Sequence, residues 1–184
     1  MGNVVERVNN IITVSGDLTS EGTEKLMTTE TPEEKKDAPA VIMLPPVLVL
    51  LHVIAGITLN WMLGGYYGHA WGWIGLLLLA ACFGIIAWSK NVFDKAGTPV
   101  PPNQPVTAIV KDGPYKYTRN PMYLSFLIGY IGLSFLASAP FMTGLALPLF
   151  FILDRKVIVP EEQYLTQKFG DQYLEYLSQV RRWV

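Results

Sequence analysis

Charged residues are missing from two long stretches of this sequence. Residues 38–89 and 120–153 contain no Asp, Glu, Lys or Arg, although the whole chain has 14 Lys and Arg and 15 Asp and Glu residues. A bilayer core requires about 20 consecutive apolar residues per helix, and each stretch exceeds that length. A soluble domain of 184 residues cannot bury both stretches in one core. The sequence therefore predicts an integral membrane protein.

Cysteine and histidine are scarce as well. The chain contains one Cys, Cys82, and two His. A disulfide scaffold is excluded, and we find neither the spacing of metal ligands nor a plausible Ser-His-Asp set. The formal net charge of −1 gives no electrostatic basis for a nucleic-acid partner. We therefore expect no metal site and no nucleic acid.

The apolar and polar segments divide the chain into a tail and a membrane domain. Residues 1–39 are rich in acids, Thr, Ser and Gly, which predicts a disordered tail. Residues 40–184 form the predicted domain. We expect an all-α membrane protein with about four transmembrane helices, near residues 41–63, 71–88, 122–138 and 140–159.

Lys and Arg determine the expected orientation of these spans. The basic residues lie in the tail, in the connector 89–121 and in the C-terminal segment 154–184, and none lies in the turns 64–70 and 138–140. The positive-inside rule then places both termini in the cytoplasm, at the inner membrane if the protein is bacterial. The connector and the C-terminal segment meet on this face, and any cofactor site is expected there.

Two polar motifs lie in these cytoplasmic segments. The first, Arg119-Asn120-Pro121-Met122-Tyr123, lies at the start of the predicted third span. Asn120 and Pro121 are residue types favoured at a helix N-terminus. The second, Pro160-Glu161-Glu162, suits a helix start because acids complement the positive end of the dipole. Taken alone, both motifs allow either a structural or a functional interpretation.

Together the motifs resemble a known family, the membrane-embedded isoprenylcysteine carboxyl methyltransferases and their phospholipid methyltransferase relatives. The resemblance covers residues 40–184. It rests on Gly113-Pro114-Tyr115 and Arg119-x-Pro121-x-Tyr123, followed by Glu161-Glu162-x-x-Leu165-x-x-x-Phe169-Gly170 and by Tyr173, Tyr176 and Val180-Arg181-Arg182-Trp183. The combination is specific, whereas either half alone is weak.

The resemblance implies S-adenosylmethionine as the methyl donor, held between the connector and the C-terminal helical segment. It implies Arg119 and Glu162 as catalytic residues and Arg155 as the residue that contacts the substrate. The implied cofactor-binding residues are Thr107, Ala108, Ile109, Val110, Tyr115, Asn120, Pro121, Met122, Tyr123 and Glu161.

The chain departs from the carboxyl methyltransferases at two positions. Asn120 stands where they have His, and Val157 replaces their substrate-contacting Arg, which leaves Arg155 as the nearest base. The expected acceptor is a membrane lipid or a prenylated or other hydrophobic molecule. We expect methyl transfer to this acceptor, as in isoprenylcysteine carboxyl O-methylation. A phospholipid amine N-methyltransferase and a non-catalytic four-span lipid-binding or transport-associated protein are the alternatives.

Overall fold

The computed structural model of the chain describes residues 44–100 and 105–184, and within these ranges it contains helices and no strand. The all-α fold class is therefore confirmed for these residues. The predicted tail, residues 1–39, and the beginning of the predicted first span, residues 41–43, lie outside them. The helices are α1 Pro45–Leu63, α2 Gly72–Ala96, α3 Pro121–Leu136, α4 Pro140–Gly144, α5 Ala146–Leu153, α6 Val159–Phe169 and α7 Asp171–Gln179.

Two helical stretches are long and apolar enough to cross a membrane, Pro45–Leu63 and His69–Ala96, whereas the apolar helix Pro121–Leu136 is shorter. Both stretches expose large apolar side chains, including Trp61, which is 82% exposed. A monomeric soluble protein rarely presents so continuous an apolar surface to water. The observation favours a lipid environment for α1 and α2, while the complete four-span topology stays a prediction.

Helix α2 extends beyond the predicted span. The span was expected to end at residue 88, but the helix continues to Ala96, where Gly97 adopts a φ of 62°. The additional turns carry an ion pair between Lys90 and Asp94 at 2.7 Å. These residues are polar because they lie past the apolar stretch, and hydropathy therefore gives no sign that the helix continues.

Helices α2 and α3 pack antiparallel at very short range. A Cβ atom added to Gly75 of α2 would lie 2.6 Å from the carbonyl oxygen of Gly132 and 2.8 Å from the backbone nitrogen of Leu136 in α3. One added to Gly129 would lie 2.8 Å from the Sγ atom of Cys82. Small residues thus permit the two backbones to approach, as is common between membrane helices.

The chain from Ala146 to Phe169 forms one nearly continuous helical path, and it contains a π-turn over Asp154–Ile158. The backbone N–H of Val159 donates to the carbonyl oxygen of Asp154, five residues earlier. Pro160 has no N–H to donate and disfavours the regular helix before it. The fourth span was expected to end at residue 159, and Pro160-Glu161-Glu162 was expected to start a helix. Pro160 lies in the first turn of α6, and the π-turn joins this helix to α5.

Candidate functional site

A cavity of about 310 Å³ lies where the connector, the start of α3 and the C-terminal helices meet. Burial raises the pKa of the Tyr115, Tyr173 and Tyr176 phenols well above the usual value, so these lining groups stay neutral. The cavity is lined by Leu44, Pro45, Pro46, Val47, Phe93, Val100, Val106, Ala108, Ile109, Val110, Tyr115, Arg119, Asn120, Met122, Tyr123, Phe126, Glu161, Glu162, Leu165, Tyr173 and Tyr176.

Most residues that the sequence assigned to a cofactor site line this single cavity. Both assigned catalytic residues, Arg119 and Glu162, line it too. The assigned cofactor residues that it contains are Ala108, Ile109, Val110, Tyr115, Asn120, Met122, Tyr123 and Glu161. The structure thus brings the two motifs together, while the role of each residue stays a prediction.

Three assigned residues lie elsewhere. Thr107 is exposed, and its backbone N–H donates to the Oγ1 atom of Thr98 at 3.0 Å. Pro121 is buried in the first turn of α3 and does not line the cavity. Arg155, assigned to the substrate, has a side chain that is 73% exposed and lies 3.3 Å from Asp154. The cavity therefore gives no support to a substrate contact by Arg155.

Glu161 is the buried acid that faces the cavity without an arginine partner in the described part of the chain. Its Oε1 atom accepts a hydrogen bond from the Tyr123 hydroxyl at 2.5 Å. Burial raises the pKa of the Glu161 carboxyl to about 7, the Tyr123 hydrogen bond lowers it, and the neighbouring Glu162 raises it. Glu161 is thus poised to change charge near neutral pH.

Arg119 is held almost completely by the protein itself. Its Nε atom donates to the Oε1 atom of Glu162 at 3.1 Å, and its Nη2 atom forms an ion pair with the same oxygen at 2.9 Å. Its Nη1 atom donates to the carbonyl oxygens of Leu177 and Val180 at 3.0 and 2.7 Å. A guanidinium has five N–H donors, and these three hydrogen bonds leave the two of Nη2, which faces Glu162. Arg119 therefore joins the start of α3 to α6 and to the end of α7.

Arg182 and Trp183, near the end of the chain, bind acidic residues of α6 and of the π-turn. Arg182 donates to the Oε2 atom of Glu162 through Nη2 at 2.5 Å and through Nε at 3.1 Å. Its Nη1 atom lies 3.3 Å from the Oδ1 atom of Asp154, which also accepts from the Trp183 indole at 2.9 Å. Two arginines and two carboxylates thus alternate along one chain of ion pairs.

Backbone contacts attach the connector to the same C-terminal segment. The carbonyl oxygen of Arg182 accepts from the Thr118 hydroxyl and from the Asn120 amide, each at 3.0 Å. The Tyr176 hydroxyl donates to the carbonyl oxygen of Tyr115 at 2.7 Å. Asn120 occupies the N-cap position of α3, but its side chain makes no capping hydrogen bond. The amide binds the C-terminal segment instead.

Sequence reasoning missed several lining residues. Tyr173 and Tyr176 were recognised as part of the motif, and their spacing on an amphipathic helix was the available signal for an inward face. The start of α1, from Leu44 to Val47, and Phe126 of α3 are ordinary apolar positions. No local pattern distinguishes them from residues that face lipid.

A family model described as phospholipid methyltransferase matches residues 71–172. The chain belongs to the phospholipid methyltransferase family. This confirms the resemblance found in the two motifs. Proteins of this family are membrane methyltransferases that act on lipid-like substrates. No curated protein and no solved structure matches the chain.

The match to the phospholipid methyltransferases covers only part of the cavity. Arg119, Tyr123, Glu161 and Glu162 lie within the matched residues. Tyr173 and Tyr176, which line the cavity, and Arg182, which binds Glu162, lie beyond them. In the described residues, no cluster of three or more His, Cys, Asp or Glu side chains is arranged to hold a metal ion.

Proposed function

We propose that this chain transfers a methyl group from S-adenosylmethionine to a lipid-like acceptor at the membrane interface. The observation that carries the proposal is the cavity in which Glu161, Tyr115 and Tyr123 come together, inside a member of a methyltransferase family. When bound, the cofactor supplies a methyl group already activated by a sulfonium. Its transfer requires positioning more than acid–base catalysis.

The residues of the cavity are chemically suited to such a cofactor. A volume of about 310 Å³ lies in the range of small-molecule sites. The aromatic faces of Tyr115 and Tyr123 attract a cation such as a sulfonium. The ionised carboxylate of Glu161 accepts hydrogen bonds from amino and hydroxyl groups. We therefore assign these three residues to cofactor binding, with Ala108, Ile109, Val110, Asn120 and Met122 as the other members of the wall.

The same cavity favours a neutral amine over a carboxylate as the acceptor. A prenylcysteine carboxylate needs a cation, but among the described residues Arg119 is the one Lys or Arg that lines the cavity, and Glu162 and two carbonyl groups already hold it. An amine needs no cation and gives up a proton during methylation. Glu161, with a pKa of about 7, is suited to accept that proton. We therefore place a phospholipid-type amine before an isoprenylcysteine among the acceptors.

We infer the position of the acceptor's hydrocarbon part from the apolar residues that line the cavity. Pro46 and Val47 at the start of α1 and Phe126 of α3 line the cavity, and both helices expose apolar side chains elsewhere. A polar cofactor and an apolar acceptor can then reach one site from different phases. The proposed location is the cytoplasmic face of the membrane, with both termini on that side.

Methyl-labelled S-adenosylmethionine and purified protein in lipid provide the test. One reaction contains phosphatidylethanolamine and a parallel reaction contains a farnesylated cysteine derivative. Labelled phospholipid with unlabelled cysteine derivative supports the amine acceptor, and the reverse result supports O-methylation. Cofactor binding without transfer to any lipid would contradict the enzymatic proposal and favour the non-catalytic lipid-binding alternative.

A further inference from the structure

Arg182 lies between two carboxylates that belong to one helical path. It binds Glu162 through Nε and Nη2 and contacts Asp154 through Nη1 at 3.3 Å. The side chain of Arg182 is 33% exposed, whereas each carboxylate side chain is 12% exposed. Arg182 does not line the cavity. It nevertheless binds Glu162, which does line the cavity.

The π-turn is the reason that both carboxylates face Arg182. Glu162 follows Asp154 by eight positions, and in a regular helix eight residues overshoot two turns by about 80°. A π-turn takes up one additional residue. That residue would otherwise add a rotation of about 100°, so the overshoot is largely cancelled. Asp154 and Glu162 are thereby brought to nearly the same face. The π-turn before Pro160 therefore brings two carboxylates to one arginine.

The ion pairs of Arg182 are connected to the cavity through Glu162, which lines it. While its Oε2 atom is bound to Arg182, its Oε1 atom accepts from the Nε atom of Arg119 at 3.1 Å. Glu162 also follows Glu161 directly, so its orientation helps to fix that residue. Removal of Arg182 would leave Glu162 with Arg119, and Asp154 with the exposed Arg155 and the Trp183 indole. The Oε2 atom of Glu162, on a side chain that is 12% exposed, would lose both donors that Arg182 supplies, and the local structure would rearrange to reduce the cost of a less well paired buried charge.

We infer that Arg182 is a positioning residue for the cofactor cavity, acting through Glu162 on Arg119 and Glu161. The inference rests on the proposed function and extends the site past the residues that the family model matches. Arg182 does not touch the cavity itself. It anchors the end of the chain against α6 and the π-turn, which keeps the wall of the cavity in place.

Calorimetry with S-adenosylmethionine on the full-length, detergent-solubilised protein tests this role. We expect Arg182→Gln to weaken cofactor affinity by roughly tenfold or more, since it breaks charge-assisted hydrogen bonds to a buried carboxylate. Arg182→Lys keeps the charge without the planar fork, and its affinity should lie between the other two. Arg181→Gln is the matched control: this neighbouring arginine is exposed, and its affinity should equal the parent's.

A purely structural role is distinguished by measuring the melting temperature of the same samples. If Arg182→Gln lowers only the melting temperature, and folded protein binds the cofactor normally well below melting, the inference is wrong. If Arg182→Gln does not fold, Arg182→Lys decides by the same criterion. Failure of the parent protein to bind S-adenosylmethionine would instead reject the proposed function, and the inference with it.

The path through Glu162 has its own test. If Arg182 acts through Glu162, the double variant Arg182→Gln with Glu162→Gln should bind the cofactor no more weakly than the weaker of the two single variants. Changes in binding free energy that add across the two sites would show that Arg182 acts independently. That result would overturn the proposed path.

Discussion

The Tyr123 hydroxyl donates a hydrogen bond of 2.5 Å to the Oε1 atom of Glu161. The bond joins the first turn of α3 to α6 and closes the contact between two motifs that are distant in the chain. A buried carboxylate with a single protein donor retains capacity for a ligand. This pair is therefore the centre of the cofactor site that we propose.

We expect Glu161→Gln to weaken S-adenosylmethionine binding by about 1.5–3 kcal/mol, which is roughly a tenfold to hundredfold loss of affinity. The substitution preserves the shape of the side chain and removes its charge, so the loss reports charge-assisted contacts with the cofactor. Calorimetry on the folded variant measures it. Glu175→Gln is the control, because Glu175 is exposed and its Oε1 atom accepts only from Gln179 at 3.2 Å among the described residues. Equal, small effects at Glu161 and Glu175 would reject a cofactor contact by Glu161.

Cofactor affinity should depend on pH around the pKa of Glu161, which burial raises to about 7. Below that pH the carboxyl is protonated, so affinity should fall by up to about tenfold per pH unit. Tyr123→Phe removes the hydrogen bond that lowers this pKa, and the midpoint should therefore move to higher pH. A flat pH profile in the parent protein would contradict the role of ionised Glu161.

Protein stability should depend on pH in the opposite direction. The folded pKa of Glu161 lies above its ordinary value of 4.5, so the folded state binds more protons between the two values. Its contribution to stability is complete below pH 4.5 and is lost as the pH rises through about 7. The slope attributable to this group is at most about 1.4 kcal/mol per pH unit. Comparing the pH dependence of unfolding in the parent and in Glu161→Gln isolates this contribution.

Gly75→Ala should destabilise the contact between α2 and α3. The added methyl group meets backbone atoms of Gly132 and Leu136 at 2.6 and 2.8 Å, and backbone cannot move aside as a flexible side chain can. We expect a loss of about 1–3 kcal/mol in the free energy of unfolding. Gly84→Ala, in the same helix, has no atom within 4 Å of the new Cβ. It should be neutral or slightly stabilising, since Ala favours helix over Gly. Similar losses at both positions would contradict close packing at Gly75.

The orientation of the chain is tested by cysteine labelling in sealed vesicles or cells. Tyr66→Cys lies in an exposed position of the turn after α1, and Gln172→Cys lies in an exposed position of α7. With both termini cytoplasmic, an impermeant reagent added outside should label residue 66 and not residue 172. The parent protein, whose Cys82 is buried, gives the background. The reverse pattern would place the cavity on the other face.

Much of the helical organisation follows from the distribution of charge. The break at Ser138, where φ is 51°, falls between the third and fourth predicted spans. Gly170, with a φ of 54°, ends α6 and precedes α7. Helix α2 continues past residue 88, where the predicted span ends, because polar residues can continue a helix beyond an apolar stretch. Hydropathy describes the environment of a segment, and hydrogen bonding sets its ends.

For the candidate functional residues, too, the sequence and the tertiary structure contribute different information. The sequence determined which residue types belong to the motifs, since Arg119, Tyr123, Glu161 and Glu162 are recognisable in order along the chain. Only the tertiary structure decided their partners. It pairs Glu161 with the Tyr123 hydroxyl and Glu162 with two arginines, although the two acids are adjacent and chemically identical. Successive residues on a helix face different directions, and the neighbours that those directions meet come from segments far away in the sequence.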